Sequence, residues 1–265
     1  MADPERPTRT VALVGIGAGD PEHLTLGAVR TIEQADAVFI VDKGRVAADM
    51  TRHRRAICER VLEGRSERPR FVERRLSAVR DRDRTGDGTG VPAWRTERMY
   101  AYEELIRGLG VGEAGAFLLW GDPTLYDGTL AILDEVRARG AVDFDVEVVP
   151  GISSVSSLAA RHRVPLNRLG EAVQLTTGRR LVDAGLPVGV DTVAVLLDAH
   201  QAWRELDDEL HIWWGAFVGM PDEVLVAGRL GDVREEIAAR RDEGQRRLGW
   251  MFDTYLLRRD ALAAR

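Results

Sequence analysis

The stretch VALVGIGAGDPEHLT, beginning at Val11, sets glycines at 15, 17 and 19 behind an apolar run and ahead of Asp20-Pro21. A glycine-rich turn between a strand and a helix commonly cradles a dinucleotide or phosphate, because backbone N–H groups and the helix N-terminus face the anion. Here the fingerprint G-x-G-x-x-G is incomplete: Asp20 stands where the third glycine belongs. A carboxylate there repels phosphate and instead suits the start of the following helix. No Gly-Lys-Ser/Thr follows, so a Walker loop is excluded. A Rossmann-type dehydrogenase survives only through Asp42, an acidic residue closing the second apolar run. The turn reads as one built for close backbone approach.

Two further stretches carry the same signature. LLWGDPTLY (118–126) ends an apolar run in Gly121-Asp122-Pro123, and VVPGISSVSSLAA (148–160) ends one in Pro150-Gly151 before a pair of serines. Glycine and proline at strand ends expose bare backbone at the carboxyl edge of a sheet, where open α/β folds bind ligands. Cys58 falls in a charged amphipathic segment and reads as a packing residue. The five histidines have no ligand spacing and no CxxC exists, so no metal is expected.

The bulk numbers agree with a soluble enzyme-sized chain. The 265 residues are 45% hydrophobic and 30% charged, with a net charge of -6 that argues against nucleic acid. Of the 37 basic residues only Lys43 is a lysine. Arginine forks bind carboxylates bidentately, so a polycarboxylate ligand suits such a surface. The N-terminus lacks a secretory layout, and the apolar runs are too short to span a membrane. A single cysteine makes a reducing cytoplasm the expected compartment.

These residues need elements to position them. Residues 11–15 read as a strand, 22–35 as a helix and 35–42 as a strand, a βαβ start that predicts a parallel sheet. Helices are expected at 46–63 and 93–108, with a short strand at PRFVER. The segment 76–92 is rich in glycine and charge and reads as a mobile loop that closes on substrate through Arg80, Arg82 and Arg84. GLGVGEAG (108–115) marks the best boundary, giving α/β domains 1–115 and 116–265. Beyond it come strands at AFLLWGD, FDVEVVPG, AVQLTT, TVAVLLD, HIWWGAFVG and EVLVAGRL, and a last helix at 231–247. Trp213 and Trp214 alternate on one strand, so one is expected inside and the other open to a ligand or subunit partner.

Taken together, VGIGAGDPEHLT, WGDPTLY, VPGISS, TVAVLLD and MPDEVLVAGRL resemble the tetrapyrrole methylase family over roughly residues 10–235. The resemblance implies two α/β domains with S-adenosylmethionine bound in a cleft between them and S-adenosylhomocysteine as product. Residue by residue, it carries cofactor contacts onto Ala18, Trp120, Gly121, Asp122, Leu125, Ser153, Ser154, Leu197, Val218 and Gly228. Tyr126 joins them as a gate beside the same turn. The implied reaction is methylation of precorrin-5 at carbon 1 with release of acetate, Asp42 or Asp127 serving as base. Lys43, Arg161, Arg168 and Arg179 would hold carboxylates of the precorrin substrate. Another precorrin methylation, or a tetrapyrrole-binding protein without turnover, are the alternatives, and a homodimer is left open.

Overall fold

The computed structural model describes residues 8–42, 48–76 and 93–259. The chain divides into two compact units. The first takes the N-terminal residues to Gly17 together with Pro21–Ile152, and the second takes Ala18–Asp20 and the chain from Ser153 onward.

The first unit is a five-stranded sheet in the order β3-β2-β4-β1-β5. Its strands are β1 (Arg9–Gly15), β2 (Ala37–Asp42), β3 (Arg70–Arg75), β4 (Ala114–Leu119) and β5 (Phe144–Val149). Every pairing is parallel, as the βαβ pattern predicts. Strands buried on both faces must be apolar at consecutive positions, and β1 is buried from Val11 to Gly15. Val11, Leu13, Phe39 and Phe117 face one core with Tyr102 and Ile106 of α3 (Ala93–Arg107) and Ile132 of α4 (Thr129–Ala138). Ala12, Val14, Val38 and Leu118 face the other with Ile32 of α1 (Leu26–Gln34) and Ile57 and Cys58 of α2 (Ala48–Val61). Alternation along each strand thus feeds two helical layers.

The second unit is mixed, in the order β6-β7-β10-β8-β9. It comprises β6 (Val173–Thr177), β7 (Thr192–Leu196), β8 (His211–Ala216), β9 (Val224–Arg229) and β10 (Asp253–Arg258). Among the described residues three α-helices accompany it: α5 (Ser154–His162), α6 (Gly178–Ala184) and α7 (Leu230–Leu248). β10 is antiparallel to both β7 and β8, so those two strands run the same way and end on one edge. No helix among the described residues is long and apolar enough to cross a membrane.

Three expectations are corrected here. The boundary lies at Ile152/Ser153 rather than near Gly115, because β4 and β5 hydrogen-bond to either side of β1 and cannot leave its sheet. The chain does not end its regular structure on a helix at 247, since DTYLLR forms β10 in the middle of the second sheet. Trp213 and Trp214 are both buried, the first against His211 and Arg258 and the second donating its indole N–H to Asp253 at 3.2 Å. The proposed closing loop with Arg80, Arg82 and Arg84 falls on 77–92, outside the described residues.

Candidate functional site

In the first unit the three glycine-bearing turns converge on the carboxyl ends of β4, β1 and β5. A Cβ on Gly151 would sit 2.1 Å from the Gly121 carbonyl oxygen and 2.8 Å from the Gly15 backbone. One on Gly15 would sit 2.5 Å from the Gly151 nitrogen. Gly17, at φ 74°, exchanges backbone hydrogen bonds with Gly121 at 2.8 and 3.3 Å. Three backbones therefore meet with no room for a side chain. The opening glycine turn packs strand ends together, as its missing third glycine suggested.

Asp122 holds this convergence. One carboxylate oxygen accepts the Gly151 N–H at 2.9 Å, and the other accepts the Thr124 N–H at 2.8 Å and its hydroxyl at 2.5 Å. Burial works against its charge, but these donors outweigh it and hold the carboxyl below the usual range. Leu125 closes the turn by donating its N–H to the Asp122 carbonyl at 3.1 Å. Tyr126 follows at φ 53° and is 46% exposed, an uncommon backbone state for a large side chain. Asp127 accepts the Thr129 N–H at the start of α4 through Oδ1 at 2.7 Å. Trp120 is half-buried, with the His53 ring 5.8 Å from its own. Asp42 ends β2, but its side chain is not among the described features, and Lys43 lies outside the described residues.

In the second unit the carboxyl ends of β7 and β8 are equally unusual. Leu197, just past β7, is 62% exposed at φ 54°. Phe217, just past β8, is buried at φ 51° and precedes the buried Val218. Such residues cost of order 1–3 kcal/mol each and persist where the surrounding structure imposes them. Phe217 donates its N–H to the Phe252 carbonyl at 2.8 Å, which fixes that turn. The Ala18–Asp20 segment seats on the turn that follows: a Cβ on Gly19 would lie 2.4 Å from Met220 Cγ. Half-buried Ala18 adjoins it. Ser153 caps α5, its hydroxyl accepting the Ser156 N–H at 3.2 Å, and Ser154 is the first helical residue.

Gly228 does not join that edge. It pairs with Ile212 at the start of β8, and a Cβ there would meet Val233 of α7 at 2.7 Å. The candidate arginines also have local partners. Arg161 grips Glu223, whose carboxylate also accepts the Gly219 N–H at 2.8 Å. Arg168 donates to Asp191 at 3.1 Å, while Arg179 is exposed on the first turn of α6. Among the described residues, no group of three or more His, Cys, Asp or Glu is placed to hold a metal.

The profile of the tetrapyrrole (corrin/porphyrin) methylases matches residues 10–234. The chain belongs to the tetrapyrrole methylase family. Within this family it is 40% identical over 255 residues to the deacetylating precorrin-6A synthase of Sinorhizobium sp, covering 96% of each chain. It is 31% identical to the precorrin-2 C(20)-methyltransferase of Sinorhizobium sp, over 64% of this chain and 68% of that one. Among solved tetrapyrrole methylase structures, a cobalamin synthesis related protein (CobF) from Corynebacterium diphtheriae superposes with a TM-score of 0.78 at 33% identity, over 95% and 99% of the two chains. A uroporphyrin-III C-methyl transferase from Thermus thermophilus, complexed with S-adenosyl homocysteine, shares the fold at a TM-score of 0.56 and 23% identity, over 94% and 96%.

Proposed function

We propose that this chain transfers a methyl group from S-adenosylmethionine to carbon 1 of precorrin-5 and releases the extruded two-carbon unit as acetate, giving precorrin-6A. The observation that carries this reading is the 40% identity to a deacetylating precorrin-6A synthase across almost the whole of both chains.

Bound S-adenosylmethionine supplies an electrophilic methyl on a sulfonium, whose departure leaves a neutral thioether. The protein's task is then alignment, which alone accounts for much of such a rate. In this reading the turn at Trp120, Gly121 and Asp122, with Leu125 and Tyr126, lies against the polar parts of the cofactor, the Gly121 N–H and carbonyl themselves being paired with Gly17. The Ser153-Ser154 turn and Ala18 do the same. Leu197 and Val218 provide apolar surface for the adenine. Support comes from Leu197, an apolar side chain held out to solvent on a costly left-handed backbone just past β7. Asp127, through Oδ2, accepts the proton of the water that releases acetate, with Asp42 as the other candidate. Lys43 and the exposed Arg179 are assigned to substrate carboxylates in this scheme, whereas Arg161 and Arg168 must first release Glu223 and Asp191.

Incubation with methyl-labelled S-adenosylmethionine and precorrin-5 tests the reading. Label in the macrocycle together with free acetate is expected. Label without acetate would move the protein to another methylation of the same family. Cofactor binding without transfer would leave a tetrapyrrole-binding protein.

A further inference from the structure

Most arginines on the two helices that follow β2 and β3 have partners of their own. On α2, Arg55 meets Glu73 at 3.2 Å and Arg60 meets Glu22 at 3.5 Å. On α3, Arg95 meets Glu135 at 2.5 Å and Arg107 meets Glu103 at 2.7 Å. Arg54 and Arg98 differ. Neither has a carboxylate within ion-pair distance among the described residues, and the Nε of each is buried without a hydrogen-bond partner.

Their surroundings define one corner of the first unit. The Arg54 guanidinium lies 5.4 Å from the centroid of the Trp120 ring. Arg98 donates from Nη2 to the Tyr102 hydroxyl at 2.8 Å. Burial pulls Arg54 below its ordinary value, Tyr102 and Asp127 oppose that pull, and the like charge of Arg98 adds to it. An arginine does not deprotonate under such pressure, so the cost of burying this cation stays in the folded state. Burying a charge without a bonded counter-charge is unfavourable by several kcal/mol, and proteins resolve it by pairing. Asp127 is near enough to be felt, but it makes no ion pair with Arg54, and its Oδ1 accepts the Thr129 N–H. The missing component is an anion with two acceptor oxygens.

We infer that Arg54 and Arg98 form a seat for a carboxylate carried by the substrate, with Trp120 as its apolar wall. Two guanidinium forks with unused N–H groups match the paired oxygens of a carboxylate. Trp120 gives the adjacent hydrocarbon a surface and holds Arg54 in place through its ring face. That the carboxylate belongs to a tetrapyrrole rests on the function proposed above; the seat itself does not.

The full chain is tested as R54M, R98M and R54K against wild type. Ligand-free R54M should melt at or above wild type, because methionine replaces an unpaired cation with an apolar side chain of similar length. A clear fall in Tm would mean that the charge already has a partner within the chain, and would overturn the seat. Titrating tryptophan fluorescence with uroporphyrin III, an octacarboxylate, should give affinities about tenfold weaker in R54M and in R98M, with R54K between. Its octamethyl ester should bind wild type and R54M alike. Equal affinity of wild type and R54M for the acid overturns the proposal. Glutarate, a simple dicarboxylate, should raise the Tm of wild type but not of R54M. If glutarate acts through Arg54 and uroporphyrin does not bind, the seat stands and the tetrapyrrole reading falls. If neither ligand distinguishes R54M from wild type, the seat is abandoned.

Discussion

The Asp122 carboxylate accepts the Gly151 amide at 2.9 Å, tying the turn after β4 to the turn after β5 across the end of β1. Its second oxygen is filled by Thr124, so the side chain shapes the turn instead of reaching for a ligand. Asp122→Ala strands a part-buried N–H and should cost about 1–3 kcal/mol, read as a lowered midpoint in urea. Because its folded-state carboxyl lies below the ordinary 3.8, its contribution is complete above that value and is lost as pH falls through the folded-state value. The variant should therefore lose stability less steeply than wild type in that acid range. An unchanged acid limb would show that the carboxylate does not stabilise the turn.

Gly151→Ala should damage the first unit more than a surface change can. The added methyl would lie 2.1 Å from the Gly121 carbonyl oxygen, a backbone atom that cannot swing aside. A loss beyond the ~1–3 kcal/mol usual for overpacking is expected by thermal melting. Full wild-type stability would refute the three-backbone convergence.

Leu197→Gly separates stability from binding. Removing the side chain relieves a left-handed backbone that costs about 1–2 kcal/mol in an L-residue, partly offset by greater unfolded-state freedom. The variant should be as stable as wild type or slightly more so, while S-adenosylhomocysteine binds more weakly by calorimetry. Unchanged affinity would remove Leu197 from the adenine site.

Arg241 and Asp253 form a buried pair in the second unit, Nε to Oδ2 at 3.0 Å, and the same oxygen takes the Trp214 indole N–H. Burial pushes the Asp253 carboxyl up, with Arg241 opposing it. Arg241→Met leaves that carboxyl buried and unpaired, at a cost of about 3–5 kcal/mol. Adding Asp253→Asn should return part of the loss, and a denaturant double-mutant cycle reads the coupling. Strict additivity would sink the claim that the two act as a pair.

His162 should make the second unit less stable in mild acid. Burial lowers its pKa from 6.5, against the opposing pull of the Trp214 carbonyl, which accepts its Nε2–H at 3.0 Å, and of Glu223. The unfolded chain therefore takes up a proton first, and stability falls as pH drops from about 6.5 through the folded-state value. His211, lowered by burial and by Arg258, adds in the same direction. His162→Gln should flatten the slope of Tm against pH between 7 and 5 (the range of ordinary histidine titration). A slope identical to wild type would exclude the residue.

Cys58 was legible in the sequence because its neighbours on a charged, amphipathic segment left one apolar stripe, and it is buried, with its thiol pushed up to about 12 by burial. The same local logic reached β1, β2 and α1, whose apolar periods differ sharply, and the three glycine turns. The family followed from those turns in order. Local pattern stops at the choice of partner, however. DTYLLR is a short apolar run like many others, and only its antiparallel ladders to β7 and β8 make it the central strand of the second sheet. The glycines at 108–115 looked like a boundary, yet β4 after them pairs with β1 from the chain's beginning. Arg54 and Arg98 sit among 37 basic residues that sequence cannot rank. Which arginine finds a glutamate and which keeps an unbonded Nε depends on helices packed from distant parts of the chain, and charge pairing is decided by that packing.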